Sequence, residues 1–564
     1  MKKLIIIMVV SILSSALLLF IFQDMLTGAN THDTFPSLHL TSTLHPFEAE
    51  RTDWHPGSLT LRGTSAEWAF NEEDVRIRGR GNSTWVHGYD KRPLRLRFPE
   101  ARHLMGSDYP HRDWILLANH FDKTLLRNHT AFYLGRALGS MDFVPMSQFV
   151  HLYINGEYMG VYELTDERNV APGRADLAFD PDPAISEYFL QLDAHILRAE
   201  YIPEDDHVFI VNERAYELRW PGSNMLMDAH LDYANAYISA VSHAIRAHDW
   251  NAITALIDVP SFIDFYIIHE WIKDVDTGFS SQFMQIKGQG ENRRLHMGPI
   301  WDFDQTSGNV LAVANPEGLY AAIHCYWFWY LMGMPEFSSL VAQRWNEIMP
   351  NQIADTISNI RYMSTQFEND FLRNFERHNL LSEDNYREWS WVLRDEIREM
   401  RSFDGQINYL IEWLETRTLW LDDYFNHRLP NIDFPWVYSS NYVETHIKIN
   451  DAQQYFSVPT MRVNGWVMLA LEDVLTISDA LGIEVSYDPI ARMVDISTSE
   501  MHLSHQLSTK HLTHVDTDDD ILEFDVVSTV FGEYVFLSLN VLLVITDTPS
   551  EWNPDTNTVY ITPI

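Results

Sequence analysis

Two short acidic segments contain residues that could carry metal-dependent chemistry. Asp276 lies in Lys273 to Ser281, and Asp302 and Asp304 lie in Pro299 to Asp304. Mg²⁺ prefers carboxylate and phosphate oxygens and keeps several waters, so one or two aspartates suffice as protein ligands of a nucleotide-bound metal. Strand alternation would direct both carboxylates of the second segment to one side. Aspartates near a turn are more often turn or capping residues, so the residues alone leave both interpretations open.

A basic stretch upstream could supply anion-binding groups. The segment Arg78 to Trp85 packs two glycines among Arg78 and Arg80, so backbone amides and guanidinium groups could converge on a phosphate. The segment Lys91 to Phe98 alternates, which places Arg95 on the face opposite its leucines. A tight turn and a solvated strand face are the ordinary alternatives for these two segments.

Three further polar residues stand at the ends of predicted elements. Asp122 and Arg127 flank the start of a predicted helix, where Asp122 fits an N-cap. Glu163 continues an apolar strand and would need a cationic partner if it is buried. It could therefore orient a phosphate-binding Lys or Arg.

The order of the predicted elements indicates an α+β fold. Alternating apolar and polar residues predict strands over 38–163, interrupted by a helix over 123–138. Helical periodicity follows over 227–272 and 320–425. Between these two blocks the pattern predicts a hairpin, whose second arm runs from Leu295 to Asp304. Asp276 and Asp302 would then lie on either side of this hairpin.

Length and charge limit the classes of function. The chain has 564 residues and a formal net charge of −39, which favours two or more domains and opposes nucleic acid binding. Cys325 is the only cysteine, so an intrachain disulfide and a Cys-based metal site are excluded. It lies in an aromatic run, where a packed core thiol is expected.

The N-terminal segment has the layout of an export signal. Met1-Lys2-Lys3 precedes an apolar run over residues 4–22, which is also long enough to span a bilayer. We therefore expect residues 1–22 to be a signal peptide or a membrane anchor, followed by a linker at 23–37. The rest of the protein would lie outside the cytoplasm, either secreted or anchored.

A second domain is predicted at the C-terminal end. Residues 428–440 contain two prolines without periodicity and are typical of a linker. In residues 441–564 an apolar strand pattern beginning at Val467 is echoed by one beginning at Val535, which indicates an internal repeat.

Residues 38–427 resemble the CotH (spore coat protein H) kinase family. The resemblance is carried by ordered motifs: Arg78 to Trp85, Lys91 to Phe98, Trp114 to Asn119 with Asp122 and Arg127, Asn155 to Glu163, and Trp301 to Asp304. It implies an atypical protein-kinase-like core in two parts, one rich in strands and one helical, which clasps ATP with Mg²⁺ or Mn²⁺. The implied activity is transfer of the ATP γ-phosphoryl group to Ser or Thr of an acceptor protein.

The resemblance also implies roles for individual residues. Asp302 is similar to the metal-binding aspartate, with Asp304 assisting, and Asp276 is similar to the catalytic aspartate near the acceptor hydroxyl. The implied ATP-binding residues are Arg78, Arg80, Lys91, Arg95, Arg127 and Glu163. Ser281 stands five residues after Asp276, where an ordinary kinase has a metal-binding Asn, and could coordinate the metal through its hydroxyl or a water. This departure keeps open a non-catalytic surface protein for adhesion or assembly.

The C-terminal region is similar to the copper amine oxidase N-terminal-like domain of bacterial surface proteins, a small α+β repeat. The name does not imply copper, because His502, His505, His511 and His514 have no metal spacing supported by the match and are expected in a solvated loop. We expect an attachment or spacer module that contacts the cell surface. The partner of the kinase-like part would be a basic acceptor protein, because the chain is strongly acidic.

Overall fold

The computed structural model describes residues 34–562 apart from several gaps. The gaps are 82–84, 86–90, 198–206, 213, 223, 382–396, 398–399, 430–445, 455–459, 464–465, 489–492, 500, 507–510, 515–519, 524–527, 532–533 and 554–557. The predicted leader and most of both predicted linkers therefore lie outside the described residues. In the described part, no helix is long and apolar enough to cross a membrane.

Seven strands close into a barrel in the order β1-β2-β3-β4-β5-β7-β6, with β6 returning beside β1 in parallel. The alternation in β4 is typical: Leu94, Leu96 and Phe98 are buried, and Arg95 and Arg97 are only half-buried. The predicted strand-rich region is thus confirmed. The strands are β1 (Ser37–Ser42), β2 (His55–Arg62), β3 (Phe70–Gly79), β4 (Leu94–Arg102), β5 (His111–Leu117), β6 (Ser147–Ile154) and β7 (Glu157–Asp166).

The helix that interrupts these strands is α1 (Arg127–Leu138). It begins four residues later than predicted, because residues 122–125 form a turn around the carboxylate of Asp122. That carboxylate accepts the backbone N–H groups of Thr124 (2.9 Å) and Arg127 (2.8 Å). Asp122 therefore satisfies orphan amides of the first turn, as expected for a cap, although the N-cap position itself is Leu126.

A second sheet follows, with five antiparallel strands in the order β12-β11-β8-β10-β9. The predicted hairpin is formed by β11 and β12. The second arm of the hairpin is shorter than predicted, because the chain leaves the sheet at Gly298-Pro299 and proline cannot donate to a ladder. The strands are β8 (Tyr188–Leu192), β9 (Val208–Val211), β10 (Arg214–Trp220), β11 (Gln282–Lys287) and β12 (Arg294–Met297).

The helical part has nine helices within the described residues, and most of its apolar side chains join one large core. α4 lies at the centre of this core, with nearly every residue buried. The helices are α2 (Asp228–Arg246), α3 (Trp250–Leu256), α4 (Val259–Ile272), α5 (Ala321–His324), α6 (Tyr326–Met332), α7 (Pro335–Ile348), α8 (Ala354–Gln366), α9 (Glu368–His378) and α10 (Phe403–Asp423). The segregation of strands and helices confirms the α+β class, and Cys325 is a buried thiol as predicted.

The C-terminal part repeats one element order, hairpin-helix-hairpin, as the internal repeat predicted. The first copy is β15 (Met461–Val463), β16 (Trp466–Ala470), α11 (Leu471–Leu481), β17 (Glu484–Asp488) and β18 (Met493–Ser497). The second is β22 (Ser528–Phe531), β23 (Tyr534–Ser538), α12 (Leu539–Ile545), β24 (Ser550–Asn553) and β25 (Thr558–Ile561). β16 and β23 pair directly, so the two copies share a sheet.

The remaining C-terminal strands are β13 (His446–Ile449), β14 (Ala452–Gln453), β19 (His502–Gln506), β20 (His511–His514) and β21 (Asp520–Glu523). The four histidines expected in a solvated loop lie instead in the paired strands β19 and β20, and His505 is fully buried. The loop expectation was wrong because histidine has an intermediate preference for burial. Its presence alone therefore does not distinguish a half-buried strand from a solvated loop.

A buried ion pair fixes the loop that precedes α5. Glu270, at the end of α4, accepts the backbone N–H groups of Tyr320 (2.6 Å) and Ala322 (2.9 Å) and pairs with Arg417 of α10 (2.5 Å). Neither Glu270 nor Arg417 is exposed. Arg417 also donates to the carbonyls of Pro316 and Gly318, so one pair closes both sides of this loop.

We predict that Glu270→Gln lowers the free energy of unfolding by about 3–5 kcal/mol, because it leaves the Arg417 charge buried and unpaired. Urea unfolding followed by tryptophan fluorescence measures this. The matched control is Glu415→Gln on α10, where the partner Arg361 is about half exposed. This control should cost less than about 1 kcal/mol, and similar losses in both variants would contradict the prediction.

Candidate functional site

The hairpin β11-β12 brings the two acidic segments together. Ser281 directly precedes β11, and Gly298, directly after β12, donates its N–H to the carbonyl of Phe283 (2.9 Å). The Ser281 hydroxyl donates to Oδ2 of Asp302 at 3.2 Å. Both Ser281 (φ 54°) and Asp302 (φ 74°) have left-handed backbones, which non-glycine residues rarely adopt away from functional or strained sites.

Ser281 also forms a hydrogen bond with Asp276. Burial, together with the charge of Asp302, raises the pKa of Asp276 to about 7, against hydrogen bonds from the side chains of Ser280 and Ser281. Ser281 has one hydroxyl proton for two carboxylates. The proximity of the two carboxylates therefore favours a shared proton or a bound cation.

Asp274, two residues earlier, has a different environment. It is buried and accepts hydrogen bonds from the backbone N–H of Asp276 (3.1 Å) and the hydroxyl of Thr277 (3.2 Å). Burial and the charge of Asp276 raise its pKa. Asp274 thus holds the turn, whereas Asp276 is half-buried and faces Asp302.

The segment Asp302-Phe303-Asp304, called the acidic segment below, differs in geometry from the expected strand alternation. The segment is irregular, because the chain has left the sheet at Pro299. Phe303 is nevertheless buried between an exposed Asp302 and a half-buried Asp304. Burial and the charge of Asp302 raise the pKa of Asp304, so the two carboxylates still interact. The described part contains no group of three or more His, Cys, Asp or Glu side chains arranged as metal ligands.

Two arginines lie against Trp301. The guanidinium of Arg80 is 5.3 Å from the Trp301 ring centroid, and that of Arg168 is 4.4 Å away. Burial lowers the pKa of Arg80, while Glu167 and Asp302 raise it in opposition. Arg168 was missed from the sequence, although it follows the end of β7 by two residues.

Arg95 and Arg78 have other contacts. Arg95 pairs with Glu167 (3.1 Å) and Asp113 (3.3 Å). Burial would raise the pKa of Glu167, but Arg95 and the neighbouring arginines lower it to about 2. Arg78 stacks on Trp54 (5.1 Å). The structure therefore brings Arg80 to the acidic segment, places Arg95 beside it through Glu167, and places Arg78 in a cluster around Trp54.

Lys91 has a buried side chain in the barrel part. Its side chain is fully buried over the ring of Tyr162 (5.2 Å), and Nζ has no hydrogen-bond partner among the described residues. Burial and the charge of Lys123 lower its pKa well below the usual value, against Asp122. Burial of an amine whose Nζ has no hydrogen bond is unfavourable, and a bound anion at this position would favour its charged form. Asp122 also influences Asp304, so the lysine and the acidic segment share a neighbour.

Arg127 was expected to bind the cofactor, but the structure uses its donors elsewhere. It is buried, pairs with Asp122 (2.5 Å), and donates to the carbonyls of Thr306 (2.9 Å) and Ser307 (3.2 Å). These bonds tie the start of α1 to the loop after Asp304. Arg127 thus positions that loop, and its expected contact with a phosphate stays a prediction.

Glu163 also has partners inside the protein, and its role towards a cofactor stays a prediction. It is fully buried, and its described hydrogen-bond partners are the amide of Asn119 (2.7 Å) and the hydroxyl of Ser147 (2.5 Å), not a Lys or Arg. Burial raises its pKa to about 7, because the two hydrogen bonds only partly offset the loss of water. The expected cationic partner is absent from the described contacts because the neutral acid form makes one unnecessary.

Comparison with protein families gives the context for this arrangement. A family model described as CotH kinase protein matches residues 75–421, more than half of the chain. The protein belongs to the CotH kinase family. The matched residues run from β3 into the end of α10 and include every candidate site residue described above. Comparison with curated proteins gives no match.

Membership in the CotH family supports a kinase-like protein in general. Residues 441–564 lie outside the matched segment, so their similarity to a copper amine oxidase N-terminal-like domain stays a prediction. The individual roles of Asp276, Ser281, Asp302 and Asp304 also stay predictions, now with a defined geometry.

We predict that Glu163 makes the protein less stable as pH rises. Because the folded state raises its pKa from 4.5 to about 7, the protonated form is favoured, and this stabilisation is lost as pH rises from about 4.5 through 7. Relative to Glu163→Gln, the wild-type protein should lose roughly 3 kcal/mol of unfolding free energy between pH 4 and pH 8, measured by urea unfolding.

The control for this pH dependence is Glu157→Gln on the same strand, where the side chain is largely exposed and pairs with Arg377. Its stability should follow that of the wild type across this range. A Glu163→Gln protein whose stability runs parallel to that of the wild type would contradict the raised pKa.

Proposed function

We propose that this protein is an extracytoplasmic kinase that transfers the γ-phosphoryl group of ATP to Ser or Thr of a basic acceptor protein. The observation that carries the proposal is a charge imbalance on two sides of one region. Asp276 and Asp302 share the hydroxyl of Ser281, while Nζ of the buried Lys91 has no hydrogen-bond acceptor among the described residues. A divalent cation would complete the first side and a phosphate the second, and Mg·ATP supplies both.

The residues present fit this ligand. Asp302 and Asp304 would hold the Mg²⁺ or Mn²⁺, with Ser281 close enough to coordinate directly or through a water. Lys91 and Arg80 would bind phosphate oxygens, and Arg95 would hold Glu167 so that the neighbouring arginines keep their places. The metal, when bound, would neutralise charge on the phosphates. We propose that the barrel and the helical part act as the two lobes of a kinase-like core.

Asp276 would then act on the acceptor hydroxyl. A carboxyl group with a pKa near 7 is well matched to accept a proton at neutral pH, and phosphoryl transfer needs little more than positioning and charge neutralisation. Ser280 and Ser281 orient it through their hydroxyl groups. Export is supported by the Met1-Lys2-Lys3 start with the apolar run at 4–22, and a basic acceptor by the net charge of −39.

A second candidate is a non-catalytic surface protein that keeps the fold for adhesion or assembly. It is favoured by Ser281, which stands where an ordinary kinase carries a metal-binding Asn. The two candidates differ in their response to nucleotide, because only the kinase needs to bind Mg·ATP.

We predict that Mg·ATP stabilises the wild-type protein but not Asp302→Ala. At about 100 times its dissociation constant a ligand stabilises by about 2.7 kcal/mol, measured here as a shift in thermal midpoint. Asp176→Ala, at an exposed loop position, is the control and should keep the shift. No shift in the wild type with either Mg²⁺ or Mn²⁺ would favour the non-catalytic candidate.

We predict that Asp276→Asn separates binding from transfer. Transfer of label from γ-labelled ATP to a basic acceptor protein should fall by about 10²–10⁴-fold, because the proton acceptor is lost. The thermal shift with Mg·ATP should remain, since Asp302 and Asp304 are intact. Asp274→Asn should instead lower the melting temperature, because Asp274 holds the turn. Full transfer activity in Asp276→Asn would refute its assigned role.

A further inference from the structure

A chain of buried side chains links Glu163 on barrel strand β7 to the Asp302-Phe303-Asp304 segment. The backbone N–H of Phe303 donates to Oδ1 of Asn128 (2.7 Å), and Nδ2 of Asn128 donates to Oδ1 of Asn119 (3.0 Å). Nδ2 of Asn119 in turn donates to Oε2 of Glu163 (2.7 Å). Every member is buried. Each amide donates in one direction and accepts from the other, so the chain has a single consistent polarity.

The far end of this chain is anchored in the barrel and in α8. Glu163 also contacts the Ser147 hydroxyl (2.5 Å), which contacts Nδ1 of His129 (2.7 Å), and Nε2 of His129 contacts Oδ1 of Asn359 (2.8 Å). Ser147 donates its proton to Glu163, and its oxygen can accept the Nδ1–H of a neutral His129. Burial lowers the pKa of His129 and raises that of Glu163 to about 7, so the site favours the neutral form of each group.

The surroundings of Glu163 agree with a neutral acid. The neighbouring strands β5 and β6 place Leu117 and Phe149 opposite it. The turn before α1 contributes the charge of Asp122, which also raises the pKa of Glu163, and α1 contributes His129 through Ser147. A neutral carboxyl in this site is a fixed acceptor for Asn119 without an ionic partner.

The near end of the chain acts where the backbone is strained. Asp302 has a φ of 74°, and the peptide that follows it is the one whose N–H is held by Asn128. A side chain that fixes this peptide fixes the directions in which the carboxylates on both sides of Phe303 leave the backbone. Strained conformations of this kind persist only where the surroundings hold them.

We propose that Asn128, Asn119 and Glu163 are positioning residues that hold Asp302 and Asp304 in the geometry required to bind a divalent cation. The inference rests on the proposed function, since the cation is the one that accompanies ATP. Outer partners of metal ligands are worth about 10–100-fold in metal affinity. None of the three residues touches the cation itself.

The test is Mn²⁺ binding by electron paramagnetic resonance, with and without ATP, in the full chain. Asn128→Ala should weaken Mn²⁺ binding by about 10–100-fold. The matched control is Asn374→Ala: Asn374 is also a buried helix residue whose Oδ1 accepts a backbone N–H, that of Val161, but it contacts no part of the acidic segment among the described residues. The control should retain wild-type Mn²⁺ affinity even if its melting temperature falls.

A second pair of variants keeps the test decisive if Asn128→Ala does not fold. Glu163→Leu removes the acceptor for Asn119 and should weaken Mn²⁺ binding, whereas Glu163→Gln restores an acceptor and a donor and should rescue it. Unchanged Mn²⁺ affinity in Asn128→Ala and Glu163→Leu overturns the inference. A wild type that binds Mn²⁺ without any influence of ATP refutes the proposed function alone, and one that binds no Mn²⁺ in either condition overturns both.

Discussion

Two residues of the first turn of α1 form hydrogen bonds within and after the acidic segment, and the candidate site depends on these bonds. Asn128 accepts the backbone N–H of Phe303, just before Asp304. Arg127 donates to the carbonyls of Thr306 and Ser307, just after Asp304. Arg127 can do so because Asp122 balances its charge inside the protein. A helix of the barrel part thus sets the position of a loop that belongs to the helical part.

Crowding of like charges is the main cost of this arrangement. Asp274, Asp276 and Asp304 all have raised pKa values, because burial and neighbouring carboxylates oppose their ionisation. Arg80 and Arg168 lie close by on Trp301, but neither guanidinium forms an ion pair with these carboxylates among the described contacts. Raised pKa values of this kind cluster at functional sites, and a bound cation with its phosphates would relieve the repulsion.

The sequence predicted the order and type of the elements well, because the relevant signals are local. Alternation gave the barrel strands, helical periodicity gave α2 to α4, and the echoed strand pattern gave the two copies of hairpin-helix-hairpin. The start of α1 was placed too early, because the turn around Asp122 depends on side-chain hydrogen bonds that periodicity does not show. The four C-terminal histidines were misplaced for a similar reason, since burial of a strand depends on what packs against it.

The sequence by itself determined the family, the α+β class and the charged residues that could bind a phosphate or a metal, because these follow from residue type and order. Only the tertiary structure decided which of those residues meet. It brought Asp276 and Asp302 to the hydroxyl of Ser281, gave Arg127 and Glu163 partners inside the protein, and added Arg168 to the candidate residues. The physical reason is that burial and hydrogen-bond partners are set by segments distant in the chain, such as Asn119 with Glu163 or Asn128 with Phe303, and no local pattern encodes them.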